Sequence, residues 1–219
     1  MLDFAVARRM MVDGQIRTAD VTDSRLLAAM LEVPRERFLP ERNAALAYLD
    51  LDVPASEPGR PVRRLLKPMV LAKLLQVAAI GESDRVLDVG CATGYASALL
   101  ARLAGSVVAL EEDAALVRHA QQALSGVANV KDVTGPLAVG WPAEAPYDAI
   151  VLEGATEVVP QALLRQLKDG GRLVCVLGRG PACKAMLYRA ADGEHSGRPV
   201  FDAAAPLLPG FAEPPAFVF

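Results

Sequence analysis

The sequence predicts an α/β fold in which a mostly parallel sheet carries helices on both faces. From Arg85 onward, short apolar runs alternate with helix-forming segments, as in successive strand and helix units. The first apolar run, Arg85–Val89, leads into a glycine-containing turn at 90–94 and then into a helix-forming segment. Hydrophobic residues make up 53% of the 219 positions, and much of that content is Ala and Leu, which suits helices packed on a sheet.

The first 80 residues are predicted to form helices and loops. Three prolines and a glycine within 53–61 indicate an irregular loop. Helix starts are marked by side chains that can accept from free backbone amides, or by a proline in the first turn. The predicted starts and helices are Asp3 before a helix through 8–11, Thr22 or Asp23 before 26–31, and Pro68 before 69–79.

The remaining chain alternates strands and helices. Short apolar strands with helices between them favour a parallel sheet that is covered on both faces. We divide the chain into a helical extension with a substrate-side loop over 1–80 and a cofactor-binding core over 81–219. The predicted strands are 85–89, 107–111, 129–133, 147–152 and 172–177, followed in the tail by 184–189 and 216–219; the predicted helices are 95–103, 113–124 and 160–167.

A cofactor site is predicted where the first strand of this core ends. Asp88 lies near the end of the apolar run, and Gly90 and Gly94 let the backbone approach a ligand with which a Cβ would collide. Glu111 ends the next apolar run, about 20 residues past the turn, where a carboxylate can accept hydrogen bonds from both ribose hydroxyls. This combination indicates an adenosine-containing cofactor.

Two cofactors, NAD and S-adenosylmethionine, suit such a site. A dinucleotide prefers the turn G-x-G-x-x-G, because its pyrophosphate must reach the helix N-terminus. Here Ala92 stands between Gly90 and Gly94, and no third glycine opens the helix. S-adenosylmethionine carries no phosphate, and its ammonium can pair with Asp88 directly or through water. The turn therefore favours S-adenosylmethionine and makes an oxidoreductase the weakest interpretation.

Composition narrows the remaining possibilities. The net charge of −3 does not favour nucleic acid as a partner. Because neither a signal peptide nor a membrane-spanning run is recognisable, we expect a soluble, cytoplasmic protein. We separately expect it to be a monomer. The cysteines and histidines do not form a metal motif, so no metal is predicted, and Cys91 is interpreted as a packing or ligand-lining residue.

Segments along almost the whole chain carry a family resemblance. The most specific is Val33-Pro34-Arg35-Glu36-Arg37-Phe38-Leu39-Pro40, and the others are 9–11, 15–16, 28–30, 47–50, 86–95, 108–111, 129–130, 140–142, 145–150 and 166–174. On these residues the chain resembles the class I S-adenosylmethionine-dependent methyltransferases, and specifically the protein-L-isoaspartate O-methyltransferase family. The resemblance implies a Rossmann-like, twisted, seven-stranded and mostly parallel sheet whose last pair is antiparallel.

The same resemblance implies an activity and a set of site residues. The activity is carboxyl methylation of L-isoaspartyl residues in proteins or peptides, which starts the repair of aged protein. Candidates near the methyl-transfer centre come from the loop that holds Ser56, Arg64 and Leu66. Cofactor-binding residues are expected at Asp88, Gly90, Cys91, Ala92, Thr93, Gly94, Tyr95, Glu111, Glu112, Gly135 and Glu153.

The chain departs from the family pattern at three places. Arg64 and Leu66 stand where the family has hydroxyl residues, and Pro136 follows Gly135 where an acid is expected to meet the adenine amine. Ala92 replaces the middle glycine of the turn. These departures leave two alternatives open: a methyltransferase-fold binding protein without catalysis, and a methyltransferase with a different, anionic acceptor.

The substrate-side loop is also unusually basic. It contains Arg60, Arg63, Arg64 and Lys67 within eight positions. Such a group can bind a substrate carboxylate, a phosphate or a partner surface. A solvated loop is the simpler interpretation for so short a run.

Overall fold

The computed structural model describes residues 3–59 and 62–214, in which a seven-stranded sheet forms the centre. The strands that precede it form a small antiparallel pair, β1 (Val53–Pro54) and β2 (Arg64–Leu65). The strands of the sheet are β3 (Arg85–Val89), β4 (Ser106–Glu111), β5 (Val130–Thr134), β6 (Tyr147–Thr156), β7 (Leu167–Leu177), β8 (Lys184–Ala191) and β9 (Glu194–Asp202). Their order is β5-β4-β3-β6-β7-β8-β9; the first five pair in parallel, and β8 pairs antiparallel with both β7 and β9.

Six α-helices surround the sheet in the described part of the chain. They are α1 (Phe4–Met11), α2 (Ser24–Glu32), α3 (Pro68–Ala78), α4 (Tyr95–Leu100), α5 (Ala114–Ala123) and α6 (Gln161–Leu164). Asp3, Asp23 and Asp113 cap α1, α2 and α5 by accepting hydrogen bonds from first-turn amides, and Pro68 opens α3 as predicted. Between α2 and β1, short 3-10 turns at Arg35–Phe38 and Glu41–Leu46 carry the chain toward the sheet.

Two buried apolar clusters cover the two faces of the sheet, because alternate strand residues point to opposite sides. Helices α1 to α5 pack on one face. The other face carries only the four-residue α6 and irregular segments, which include Leu137, Leu208 and Phe211. The predicted α/β class is confirmed, but the second face is covered more by loops than by helix.

The N-terminal helices share the first cluster with the sheet. Met11, Leu26 and Phe38 lie in the same buried group as Val86 and Leu99. The N-terminal part is therefore packed into the core, and the division near residue 80 stays a prediction. In the described ranges, no helix combines the length and the apolar character that crossing a membrane requires.

Three predicted elements need correction. The helix expected over 160–167 ends at Leu164, and β7 already begins at Leu167. The helix expected over 95–103 ends at Leu100. The last antiparallel strand is Glu194–Asp202, whose exposed polar residues hide its strand character, whereas the predicted strand 216–219 lies outside the described residues.

After β9, the chain returns to the carboxyl end of the central strands. Ala155 of β6 donates to the Pro206 carbonyl at 2.7 Å, and Leu208 donates back to the Ala155 carbonyl at 2.9 Å. The Glu157 amide donates to the Phe211 carbonyl at 2.9 Å. This returning segment, residues 203–214, therefore borders the edge of the sheet at which the cofactor site was predicted.

Candidate functional site

The turn after β3 has the conformation that its glycines permit. Gly90 and Gly94 have φ values of +79° and +92°, and Gly94 directly precedes α4. Ala92 adopts φ +49°, a left-handed conformation that costs a residue with a Cβ about 1–2 kcal/mol. The turn keeps the shape that a glycine at position 92 would adopt more easily.

Glu111, at the end of β4, is fully buried beside this turn. Its Oε2 accepts a hydrogen bond from the Ala92 amide at 2.9 Å, and its Oε1 accepts one from the Glu112 amide at 2.9 Å. These backbone donors fix the carboxylate against the turn, as the cofactor hypothesis requires. The Glu112 side chain is exposed, so this residue contributes through its backbone.

Arg63 reaches the same carboxylate from the substrate-side loop, which was not predicted. Its Nη2 and Nε lie 3.0 and 3.3 Å from Glu111 Oε2, and Nη2 also donates to the Gly90 carbonyl at 2.9 Å. The Arg63 side chain is only 7% exposed. The solvated-loop interpretation is therefore wrong for this arginine, whereas Arg60 lies outside the described residues.

Two leucines close the space above the turn. A Cβ placed on Gly90 would lie 2.9 Å from Leu208 Cδ2 and 3.5 Å from Leu137 Cδ1. A Cβ on Gly154 of β6 would lie 2.7 Å from Leu208 Cγ. The returning segment thus places a buried side chain directly over the turn.

Asp88 and Glu153 form a buried acidic pair on adjacent strands, with Asp88 near the end of β3 and Glu153 within β6. Ser97 Oγ of α4 donates to Asp88 Oδ2 at 2.6 Å. Asp88 Oδ1 and Glu153 Oε1 have no hydrogen-bond partner among the described residues. Burial raises the pKa of Asp88 to about 7, with a further contribution from Glu111. Burial, followed by the Asp88 charge, also raises the pKa of Glu153. A nearby positive charge would stabilise the ionised form of both carboxyl groups, so the pair is suited to bind a cationic ligand group.

The other turn residues are packed rather than open. Thr93 Oγ1 donates to the Phe38 carbonyl at 2.5 Å, and the Arg35 guanidinium lies over the Tyr95 ring at 4.7 Å from its centroid. Cys91 is buried, and burial raises the pKa of its thiol, which opposes a nucleophilic role. These residues hold the turn in place.

On β5, the sequence reasoning missed an acid, Asp132, which lies two residues before the strand ends at Thr134. Asp132 pairs in register with Ala109, which pairs with Asp88, so the two acids lie on the same face. Asp132 Oδ1 is buried without a partner in the described chain. The sequence signal that could have identified Asp132 is an acidic residue inside a short predicted strand. Gly135 follows β5, and its amide donates to the Glu111 carbonyl at 3.1 Å.

The three acceptor-side candidates are not equally available. Ser56 Oγ is buried and accepts from the Arg63 amide at 2.8 Å, and Leu66 is fully buried. Arg64 is half-buried and donates to the Asp52 carbonyl at 3.0 Å. It lines a groove of about 510 Å³ together with Pro206 of the returning segment. Of the three, Arg64 is therefore placed to meet a ligand.

Strand order, the turn after β3 and the acid that ends β4 together define a class I methyltransferase of the S-adenosylmethionine-dependent type. A model of the protein-L-isoaspartate(D-aspartate) O-methyltransferase family matches residues 7–202. The chain belongs to this family.

Individual relatives agree with the family match. The chain is 40% identical over 186 residues to protein-L-isoaspartate O-methyltransferase 1 of Rhodopseudomonas palustris, covering 84% of this chain and 74% of the relative. It is 40% identical over 173 residues to the Methanoculleus marisnigri protein-L-isoaspartate O-methyltransferase, covering 78% and 77%.

Solved structures show the same fold. One protein-L-isoaspartate O-methyltransferase matches with a TM-score of 0.80 and 25% identity, covering 93% of this chain, and this chain spans 66% of that structure's length. A Plasmodium falciparum structure, described as a candidate member of the family in complex with S-adenosyl-L-homocysteine, matches with a TM-score of 0.77. It is 18% identical and covers 95% of this chain and 99% of its own.

Proposed function

We propose that this protein transfers a methyl group from S-adenosylmethionine to the carboxylate of L-isoaspartyl residues in proteins or peptides. Family membership supports the reaction class. The observation that carries the proposal is the pair of buried acids, Asp88 and Glu153, beside a left-handed glycine turn. We further propose that the protein is a monomer and that it acts on aged protein in the cytoplasm.

The residues present suit the cofactor at its amino-acid end. Asp88 Oδ1 and Glu153 Oε1, both unpartnered in the described part of the chain, offer acceptors to an ammonium. Ser97 holds the other Asp88 oxygen and so orients the carboxylate. At the ribose end, the position of Glu111 at the end of β4 supports its proposed role, and the carboxylate becomes available when Arg63 leaves it. The residues therefore fit the cofactor once the Arg63 guanidinium and the Leu208 side chain, which both lie over Gly90, have moved away.

The adenine end lacks the family's acid, since Pro136 has neither a carboxylate nor an N–H. Loss of a charge-assisted hydrogen bond costs about 1.5–3 kcal/mol, or about ten- to a hundredfold in affinity. Asp132 supports a partial replacement, because its Oδ1 is buried and unpartnered in the described ranges.

The reaction places few demands on side-chain chemistry. The bound sulfonium supplies an activated methyl group, so this chain contributes position and electrostatics. A carboxylate acceptor ionises at about pH 4 and needs no general base at neutral pH. Arg64 supports acceptor binding, because a guanidinium at the groove can hold a carboxylate in place of the family's hydroxyl.

The proposal is tested by methyl transfer from radiolabelled S-adenosylmethionine to an isoaspartyl peptide and to its aspartyl twin. We expect base-labile label on the isoaspartyl peptide alone. Asp88→Asn should abolish transfer, because it removes the ammonium's charged partner. Equal labelling of both peptides, or none on either, would remove the named acceptor.

A second candidate is a methyltransferase-fold binding protein without turnover. The Arg63 contact with Glu111 favours it, because the chain's own side chain takes the place expected for cofactor. It predicts that removing Arg63 restores cofactor binding but yields no label on any carboxylate acceptor.

A third candidate is a methyltransferase that acts on a different anionic acceptor through Arg64. It predicts that Arg64→Glu abolishes transfer while S-adenosylhomocysteine binding is unchanged. Arg63 cannot serve in this test, because its guanidinium lies inside the proposed cofactor site.

A further inference from the structure

The ion pair between Arg63 and Glu111 lies at the carboxylate that the proposed function assigns to the ribose. Arg63 contacts it through two nitrogens, at 3.0 and 3.3 Å, and anchors itself on the Gly90 carbonyl at 2.9 Å. The Arg63 amide donates to Ser56 Oγ at 2.8 Å, which holds the backbone of the loop in register. Side chain and backbone are thus both fixed toward the turn.

The hydrogen-bonding capacity of Glu111 is already used in this state. Oε1 accepts from the amides of Glu112 and Asp113, and Oε2 accepts from the Ala92 amide and from Arg63. The three amides belong to the turn and to the start of α5, so they remain in place. The guanidinium ends a flexible side chain, and it is the donor that can leave for two ribose hydroxyls.

The space above the turn leads to the same conclusion. A Cβ on Gly90 would lie 2.7 Å from Arg63 Nη2, so the guanidinium fills the volume that the glycine keeps free. Glycine at this position is needed for its φ of +79° and also for this close approach. An arginine and a ribose cannot share the volume.

We infer that Arg63 is an internal competitor of the cofactor: its guanidinium replaces the ribose hydroxyls on Glu111 and must leave before S-adenosylmethionine binds. The inference rests on the proposed function, because it concerns the same site. Cofactor affinity in this chain is then set by the exchange of one buried ion pair for two hydroxyl hydrogen bonds. Arg63 therefore sets the affinity for the cofactor and takes no part in methyl transfer.

Calorimetry with S-adenosylhomocysteine tests the competition without any turnover. Arg63→Gln keeps a polar side chain but shortens it and removes the charge that pairs with Glu111. We expect it to bind the ligand at least tenfold more tightly than wild type. Arg102→Gln, which removes an arginine paired with Glu32 on the outside of α2, is the matched control and should change the affinity less than twofold.

The competing ion pair can also be measured in the free protein. A double-mutant cycle of Arg63→Gln and Glu111→Gln can be measured by urea unfolding without ligand. The losses of unfolding free energy in the two single variants should not add up to the loss in the double variant. A nitrogen-15 spectrum of wild type should show the Arg63 Nε–H protected from exchange with water. Adding S-adenosylhomocysteine should remove that protection. The signal is assigned to Arg63 by its absence from the spectrum of Arg63→Lys.

The outcomes separate this inference from the proposed function. If Arg63→Gln binds no more tightly than wild type, or does not bind at near-millimolar ligand, the competition is overturned. If wild type still methylates the isoaspartyl peptide in that case, the proposed function stands without it. If Arg63→Gln gains affinity and neither protein transfers label, the competition is supported and the named activity fails. Additive losses of unfolding free energy in the double-mutant cycle would also overturn the competition.

Discussion

Replacing Asp88 by Asn should stabilise the free protein, and by more as the pH rises. Burial and the neighbouring Glu111 raise the pKa of Asp88 from 3.8 to about 7. Between these values the unfolded chain has lost the proton while the folded protein keeps it, so wild-type stability falls as the pH rises. Above about pH 7 both states are ionised, and the penalty is complete. Because Asn carries no charge, the Asp88→Asn variant does not incur this loss of stability.

The magnitude follows from the size of the shift. Each pKa unit corresponds to about 1.36 kcal/mol, so the shift of about three units corresponds to about 4 kcal/mol at pH 8. At pH 5 the same relation leaves less than half of this penalty, about 2 kcal/mol. Asn can still accept the hydrogen bond that Ser97 Oγ donates to Asp88, so the local geometry is retained.

Urea unfolding, followed by the fluorescence of Trp141 at pH 5, 6, 7 and 8, measures the difference in unfolding free energy between Asp88→Asn and wild type. Asp202→Asn is the control, because this exposed acid is paired with Lys184, which lowers its pKa. The control's stability difference from wild type should not vary with pH in that range. A difference for Asp88→Asn that is flat from pH 5 to 8, or negative at pH 8, would refute the reasoning.

Three further predictions concern packing around the site. Gly154→Ala should lose at least about 1–3 kcal/mol, because its Cβ would lie 2.7 Å from Leu208 Cγ; an unchanged melting temperature would contradict this. Arg35→Leu should lose about 2–6 kcal/mol in urea unfolding, since two backbone carbonyls lose their buried donor; a loss under about 1 kcal/mol would contradict the role of those bonds. Cys91 and Cys175 should resist a thiol reagent at pH 8, because burial raises the pKa of both, that of Cys175 to about 12; rapid labelling of either, located by mass spectrometry, would count against it.

The sequence predicted the fold and the turn well, because both depend on local patterns. Alternating apolar runs indicated the parallel strands, and the glycine spacing indicated where the chain turns at 90–94. The position of Glu111 at the end of the second strand was also predicted, and the structure buries this acid beside the turn, while its role toward a ribose stays a prediction. These elements are encoded within short stretches of chain.

The contacts that close the site were missed, because they join distant segments. Arg63 lies 48 positions before Glu111, and a basic loop residue is solvated in most sequences. Leu208 belongs to a Pro- and Ala-rich tail without periodicity. The strand Glu194–Asp202 escaped prediction because, as an exposed edge strand with a glycine and a proline, it lacks apolar alternation.

A crystal structure of the protein grown with S-adenosylhomocysteine tests the central claim most directly. The account predicts that the ribose hydroxyls contact Glu111, that the ammonium lies beside Asp88 and Glu153, and that the Arg63 guanidinium has left the carboxylate. Ligand bound away from the turn at 90–94 would contradict the assignment of the site. Ligand bound at the turn with Arg63 still paired to Glu111 would contradict the competition.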